Sequence, residues 1–224
     1  MIEGADRLAP PGPRLLAAAE ARALERARAS ALEPTAVRVL GPALGDRGAV
    51  TPVPACGAHE RVLVLSWIGA HRDAREPLLA RLWDLEEAAR ATRRPVIVLR
   101  LAPVVGAGSP LVAHLAGRPR LDARLERSLV QPVHEDDVVE GLARLLAGPV
   151  EWGGWYEVCG PEPLTVGELA ACAAAGALGP AAATPAWEPA TSVLRAQGMA
   201  EWQPWARACG VEPRRITGAV AAPA

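Results

Sequence analysis

The chain has 224 residues, 50% of them hydrophobic and 22% charged, which suits one domain, or one with a small appendage, and excludes a disordered segment. Its 24 basic residues against 25 acidic ones leave a net charge of -1, so nothing in the balance asks for nucleic acid or an anionic membrane. Every basic side chain is Arg; Lys, Asn and Phe are absent and Tyr156 is the single Tyr, a bias that fits a GC-rich genome and leaves no lysine for a Schiff base or a phosphate loop.

In chain order, the Ala/Leu/Arg/Glu stretch from Pro13 to Glu33 has a helical composition, with Glu25 three residues before Arg28. After Pro34, Ala36–Leu40 alternates as a strand does, and Gly41–Gly57 is rich in Gly and Pro and reads as a loop. Arg61–Ser66 is a nearly continuous apolar run, as in a strand buried on both faces. Pro77 opens a helix expected to reach Arg94, and Pro95–Leu101 is a second buried, β-branched strand. Leu111–Ala116 is a short helix. Leu129–Val133 is an edge or short strand, because Pro132 has no N–H for a central ladder. His134–Ala147 is a helix whose Glu135, Asp136 and Asp137 suit the positive end of its dipole. Trp155–Cys159 is a strand. Thr165 and Glu168 have capping-box spacing before a helix over Val166–Ala175, and Ala200–Cys209 is a last helix in an Ala/Pro-rich tail. Strands alternating with helices predict an α/β fold built on a parallel sheet.

Cys56, Cys159, Cys172 and Cys209 form no CxxC pair, and the expectation is buried free thiols. His59, His71, His114 and His134 lack zinc-site spacing, and the acids after His134 are read as dipole partners, so no metal is expected. No apolar run is long enough to span a membrane, and Met1–Pro13 lacks a signal layout, so a cytoplasmic protein is expected. Arg100, closing its strand, is expected to pair with a carboxylate such as Asp84 or Glu86. Seven Trp residues are more than such a chain buries easily; those of the tail, Trp187, Trp202 and Trp205, either clamp it to the core or form a partner surface.

Four segments, RVLVLSWIGA from Arg61, the helix–strand–loop unit from Pro77 through VIVLRLAPVVGAG, VQPVHEDDVV from Val130, and WYEVCGPEPLTVGELA from Trp155, follow one another in a familiar order. Together they resemble atypical short-chain dehydrogenase/reductase proteins. The nearest branch is that of the dehydrogenase-like accessory subunit of respiratory complex I and the NmrA-like and sugar-epimerase-like proteins. The resemblance covers about half the chain. It implies a Rossmann-like parallel sheet and an NAD(P) site.

The departures from the family's pattern bear on function. The resemblance implies a Tyr and a Lys four residues apart on the helix after the Ser66 strand; Leu78 and Leu82 stand there, and no lysine exists to substitute. No catalytic residue is therefore assigned. The family's glycine turn, which holds the pyrophosphate on backbone N–H groups, has one look-alike in Gly41, Gly45 and Gly48, but prolines at 52 and 54 break the helix that should come after it. A second alignment places residues 25–29 and 37–46 on the family's second helix and third strand, with the first strand, the glycine turn and the fourth strand lost. If cofactor binding is retained, the residues implied are Gly41, Gly45, Gly48, Ser66, Leu101 and Val104.

The expectation is an α/β chain with a Rossmann-like core over residues 1–150, incomplete in its N-terminal half, and a small C-terminal α+β appendage over 151–224. The implied role is a non-catalytic subunit acting through a protein partner, as an oligomer or within a larger assembly, with no cofactor. The alternatives are an NAD(P)-dependent oxidoreductase or epimerase, and an NmrA-like dinucleotide-sensing regulator.

Overall fold

A computed structural model describes residues 37–40, 61–107, 109–117, 121–147, 150, 152–179, 194–196 and 198–217. The helix expected over residues 13–33, the glycines at 41, 45 and 48, and Trp187 lie outside the described residues. The centre of the fold is a four-stranded parallel sheet of β1 (Val37–Leu40), β2 (Arg61–Trp67), β3 (Val96–Leu101) and β7 (Trp155–Val158), in the order β1-β2-β3-β7. β2 and β3 carry the longest apolar runs and take the two central places, where both faces are covered. Residue 150 does not divide the sheet, since β7 pairs with β3 over Val98–Leu101.

Alternation along the strands sends side chains to two different layers. Val62, Val64, Val96 and Val98 meet Leu85 and Ala89 of helix α1 (Pro77–Ala91). Leu63, Leu65, Ile97, Leu99 and Leu101 meet Val138, Leu142 and Leu145 of α4 (Glu135–Ala147) and Trp205 of α6 (Gln203–Cys209). Between β3 and α4 the chain forms β4 (Val104–Val105), α2 (Pro110–Ala116), α3 (Ala123–Glu126), β5 (Leu129–Val130) and β6 (Val133–His134). β4 pairs with β6 in parallel, and β5 pairs antiparallel with β8 (Leu164–Thr165), which leads into α5 (Val166–Ala174).

The expected elements that fall within the described residues are present, with physical reasons for the differences. The helix opened by Pro77 stops at Ala91, where Thr92 caps it and Arg93 turns into the left-handed region at φ 57°. The expected strand over Leu129–Val133 is two strands in two different sheets, broken at Gln131-Pro132. The four-residue α3, capped by the Asp122 carboxylate, is too short to leave a periodic signal. The Thr165–Glu168 capping box is present in full. β1 pairs in parallel with β2, the strand of Ser66, over Val37–Leu40.

Among the described residues no helix is long and apolar enough to cross a membrane. Of the described tail Trp residues, Trp205 is packed into the core at 2% exposure and donates its indole N–H to the Cys159 carbonyl at 2.9 Å, while Trp202 is half-buried against the same cluster. The acids that open α4 do more than answer its dipole. Asp137 accepts the Arg214 backbone N–H at 2.9 Å and lies 3.1 Å from its guanidinium, and Asp136 takes a second nitrogen at 2.8 Å. They pin the tail to the core.

Candidate functional site

In an open parallel sheet the ligand crevice lies beyond the carboxyl ends of the strands. Here that end is formed by the residues that come after Ser66 in β2, Arg100 in β3 and Val158 in β7. Ser66 and Arg100 are in register, on the side of the sheet that faces α1. Ser66 is 0% exposed, and its hydroxyl has no hydrogen-bond partner among the described residues. An unmade hydrogen bond at a buried hydroxyl costs about 1–3 kcal/mol, so Ser66 is poorly explained by packing alone.

The opposing helix gives this hydroxyl no chemistry to work with. Leu78, Leu79 and Leu82 of α1 are buried at 5%, 1% and 0% exposure and form one cluster with Ala70, against which Trp67 packs. A proton-transfer site needs a titratable group within hydrogen-bond reach of the reacting atom; the two positions four residues apart are aliphatic instead. The turn after β2 is closed as well. Gly69 has φ +92°, and a Cβ added there would meet the Ala196 carbonyl at 3.1 Å and Leu79 at 3.3 Å.

Arg100 is where a carboxylate partner was expected, and the partner is Glu86. The guanidinium donates Nε to Oε1 at 3.0 Å and Nη2 to Oε2 at 2.7 Å, with Glu86 0% exposed. Arg90 adds a contact to the same carboxylate at 3.2 Å. The Arg100 cation also lies over Trp155 at 4.6 Å and Trp83 at 5.5 Å from the ring centres. Glu157, in register with Arg100, has its carboxyl pushed up by burial, against the pull of that cation. With both carboxylate oxygens engaged, this is a fixed bidentate pair that ties α1 to β3, not a free acid or base.

The other implied residues fall into the core. Leu101 is 0% exposed and packs toward α4; Val104 is 8% exposed, pairs with Val133 and accepts the Ser109 hydroxyl on its carbonyl at 2.9 Å. Gly41, Gly45 and Gly48 lie outside the described residues. Among the described residues no group of three or more His, Cys, Asp or Glu side chains is placed to hold a metal ion. Cys159 and Cys209 are buried free thiols, with burial pushing Cys159 up to about 12 and Cys209 up to about 11. Cys172 is half-buried and also free.

The described part of a dinucleotide site does not fit a nicotinamide nucleotide. Ser66 is fully buried, and positions 78 and 82 are buried leucines that present no hydroxyl or ammonium to a ribose. Sequence reading missed Gln131, which is 5% exposed and joins two loops at this end of the sheet. Its amide nitrogen donates to the Gly160 carbonyl at 2.7 Å, and its oxygen accepts the Ala200 N–H at 3.0 Å. Gly160 itself sits so close to the Pro132 carbonyl that a side chain there has no room. A polar residue before a proline in an apolar stretch was the only signal for Gln131.

No family model matches the chain, and no curated protein matches it. Solved structures do. MoeE5 in complex with UDP-glucuronic acid and NAD is 18% identical, with a TM-score of 0.54 over 72% of this chain and 62% of that one. A functionally unknown conserved protein from Silicibacter pomeroyi is 22% identical, with a TM-score of 0.52 over 73% of this chain and 64% of that one. A UDP-glucuronic acid 4-epimerase from Bacillus cereus, solved with a fluorinated sugar nucleotide and NAD, is 12% identical, with a TM-score of 0.51 over 71% of this chain and 59% of that one. The chain spans less than two thirds of the length of each. At these identities the likeness concerns the fold: this is an α/β chain with the Rossmann-like parallel sheet seen in NAD-bound sugar-nucleotide epimerase structures.

Proposed function

We propose that the chain is a non-catalytic relative of the short-chain dehydrogenase/epimerase proteins, acting by association with a protein partner as a subunit of a respiratory or other multi-subunit assembly. The observation that carries the non-catalytic part is the corner beside Ser66, where Leu78 and Leu82 are buried in place of a proton-transfer pair. Loss of a positioned general acid alone removes about 10²–10⁴-fold of rate. The association part draws support from Trp155, 50% exposed on β7, which pairs with β3 on one side and has no second strand beside it among the described residues. The test is turnover of NADH or NADPH with carbonyl and UDP-sugar substrates, alongside co-purification of the full chain from its native source. No turnover together with a stoichiometric protein partner is the expected result. Turnover abolished by Ser66→Ala would refute the reading.

A second reading, an NAD(P)-dependent oxidoreductase or epimerase or a dinucleotide-sensing regulator, is favoured by one observation. Ser66 keeps a hydroxyl with no hydrogen-bond partner among the described residues, at a strand end. A sensing regulator needs a phosphate turn, which Gly41, Gly45 and Gly48 would have to supply, but not the proton-transfer pair.

A further inference from the structure

The outer edge of the sheet at β7 carries chemistry that the Ser66 corner does not use. Val98 donates its N–H to the Gly154 carbonyl at 3.2 Å, and Ala102 donates to the Val158 carbonyl at 2.9 Å. The backbone groups of residues 154, 156 and 158 therefore turn toward β3. Those of Trp155 and Glu157 turn outward, where no further strand lies among the described residues. Trp155 and Glu157 also share a side-chain face, the one that carries Val98 and Arg100 on β3. The Arg100 guanidinium takes one face of the Trp155 ring at 4.6 Å from its centre, yet Trp155 is still 50% exposed. The charge of that guanidinium is answered by Glu86. Glu157 is half-buried, and among the described residues its carboxylate forms neither a hydrogen bond nor an ion pair. Burial pushes this carboxyl up, Arg100 pulls against it, and Glu201, exposed and likewise without an ion pair, adds to the push.

We propose that this edge takes an extended, arginine-bearing segment of a protein partner, whose backbone pairs with Trp155 and Glu157 and whose guanidinium stacks on Trp155 beside the Glu157 carboxylate. Three observations converge on that occupant. The outward N–H and C=O groups of Trp155 and Glu157 are a template for one more strand. The exposed part of the Trp155 ring favours a cation, as the face held by Arg100 already does. Glu157 and Glu201 supply negative charge that no described cation pairs, so a guanidinium here meets its counter-charge as Arg100 meets Glu86. A second copy of this chain fits less well. Antiparallel pairing of β7 with itself about Tyr156 sets Glu157 against the ring and gathers the carboxylates of both copies without adding a cation. The docking edge rests on the partner-binding reading and names the chemistry of the partner.

The probe is the capped peptide acetyl-Thr-Val-Arg-Val-Thr-amide, titrated to millimolar concentration into the isotope-labelled full chain. Binding is followed by NMR at the backbone N–H signals of positions 155 and 157. The expected result is a saturable shift at both. Citrulline in place of the peptide's arginine keeps the shape without the charge and should weaken binding by about tenfold. Glu157→Gln should weaken it by about threefold, and Trp155→Ala should abolish it. If Trp155→Ala fails to fold, Glu157→Gln and the citrulline peptide decide. No shift at millimolar peptide, or equal affinity for the arginine and citrulline forms, would overturn the proposal. Sedimentation as a dimer that Trp155→Ala dissociates would also overturn it and give the edge to a second copy. Co-purification separates the two readings. A partner held equally by wild type and Trp155→Ala overturns the docking edge alone, whereas the absence of any partner counts against the assembly reading itself.

Discussion

Trp205→Ala removes a side chain that is 2% exposed and shared between α6, α4 and the sheet. Its ring edge would lie 3.1 Å from a Cβ at Gly141, so only glycine at that point of α4 admits it so closely. Truncating a buried Trp costs about 3–5 kcal/mol. Part of that is the Cys159 carbonyl, which loses the indole N–H, worth about 1–3 kcal/mol at a buried acceptor. For a chain of this length the melting temperature should fall by roughly 6–20 °C. Trp205→Phe keeps most of the ring and should lose only the hydrogen-bond share. Urea unfolding followed by circular dichroism, with an unchanged m-value, measures both. Trp202→Ala, at a half-buried position, should lose less than half as much. A loss below about 1 kcal/mol for Trp205→Ala, with release of a protein partner, would refute the clamp and make Trp205 an interface anchor.

Glu86→Ala strands the buried Arg100 guanidinium and should cost about 3–5 kcal/mol, whereas replacing both by Leu and Met should come close to neutral; a double-mutant cycle in urea reads the coupling, and additive losses would contradict the pair's role. The thiols of Cys159 and Cys209, held up at about 12 and about 11, are protonated at pH 8 (roughly the free-thiol range). They should ignore a thiol reagent until the protein unfolds, and prompt reaction of either in the native state would contradict their burial. Glu168 has its carboxyl held down, first by the Thr165 backbone N–H and then by the Thr165 side chain. A lowered folded value means that its stabilisation is present above the unfolded pKa of about 4.3. It is lost as pH falls through the folded value. The stability gap between wild type and Glu168→Ala should therefore close in acid, and a gap that stays constant to pH 2 would argue against the capping box.

The sheet was legible because β2 and β3 are apolar runs of strand length bounded by turn signals, and because Pro77 and Thr165 mark helix starts. The Glu86–Arg100 pair was legible in outline, since a cation closing a buried strand demands a carboxylate. The Gln131 bridge was not. It joins the Gly160 carbonyl to the Ala200 N–H, 69 residues after Gln131, and backbone groups leave no mark in a sequence. The fate of the tail Trp residues was open for the same reason. Their composition fits a clamp or an interface equally, and only the Cys159 carbonyl and Gly141 decide it for Trp205. Val37–Leu40 was read as a strand, but its place beside β2 is a matter of pairing, which a short run of alternation does not encode.

Calorimetric titration of the full chain with NAD and NADH tests the central claim most directly, because it asks whether the chain takes the dinucleotide although Leu78 and Leu82 are buried apolar residues on the helix packed against the Ser66 strand. The account predicts no heat of binding up to millimolar nucleotide, which corresponds to about -4 kcal/mol or weaker. Saturable micromolar binding that weakens on Ser66→Ala or Gly45→Val would contradict it.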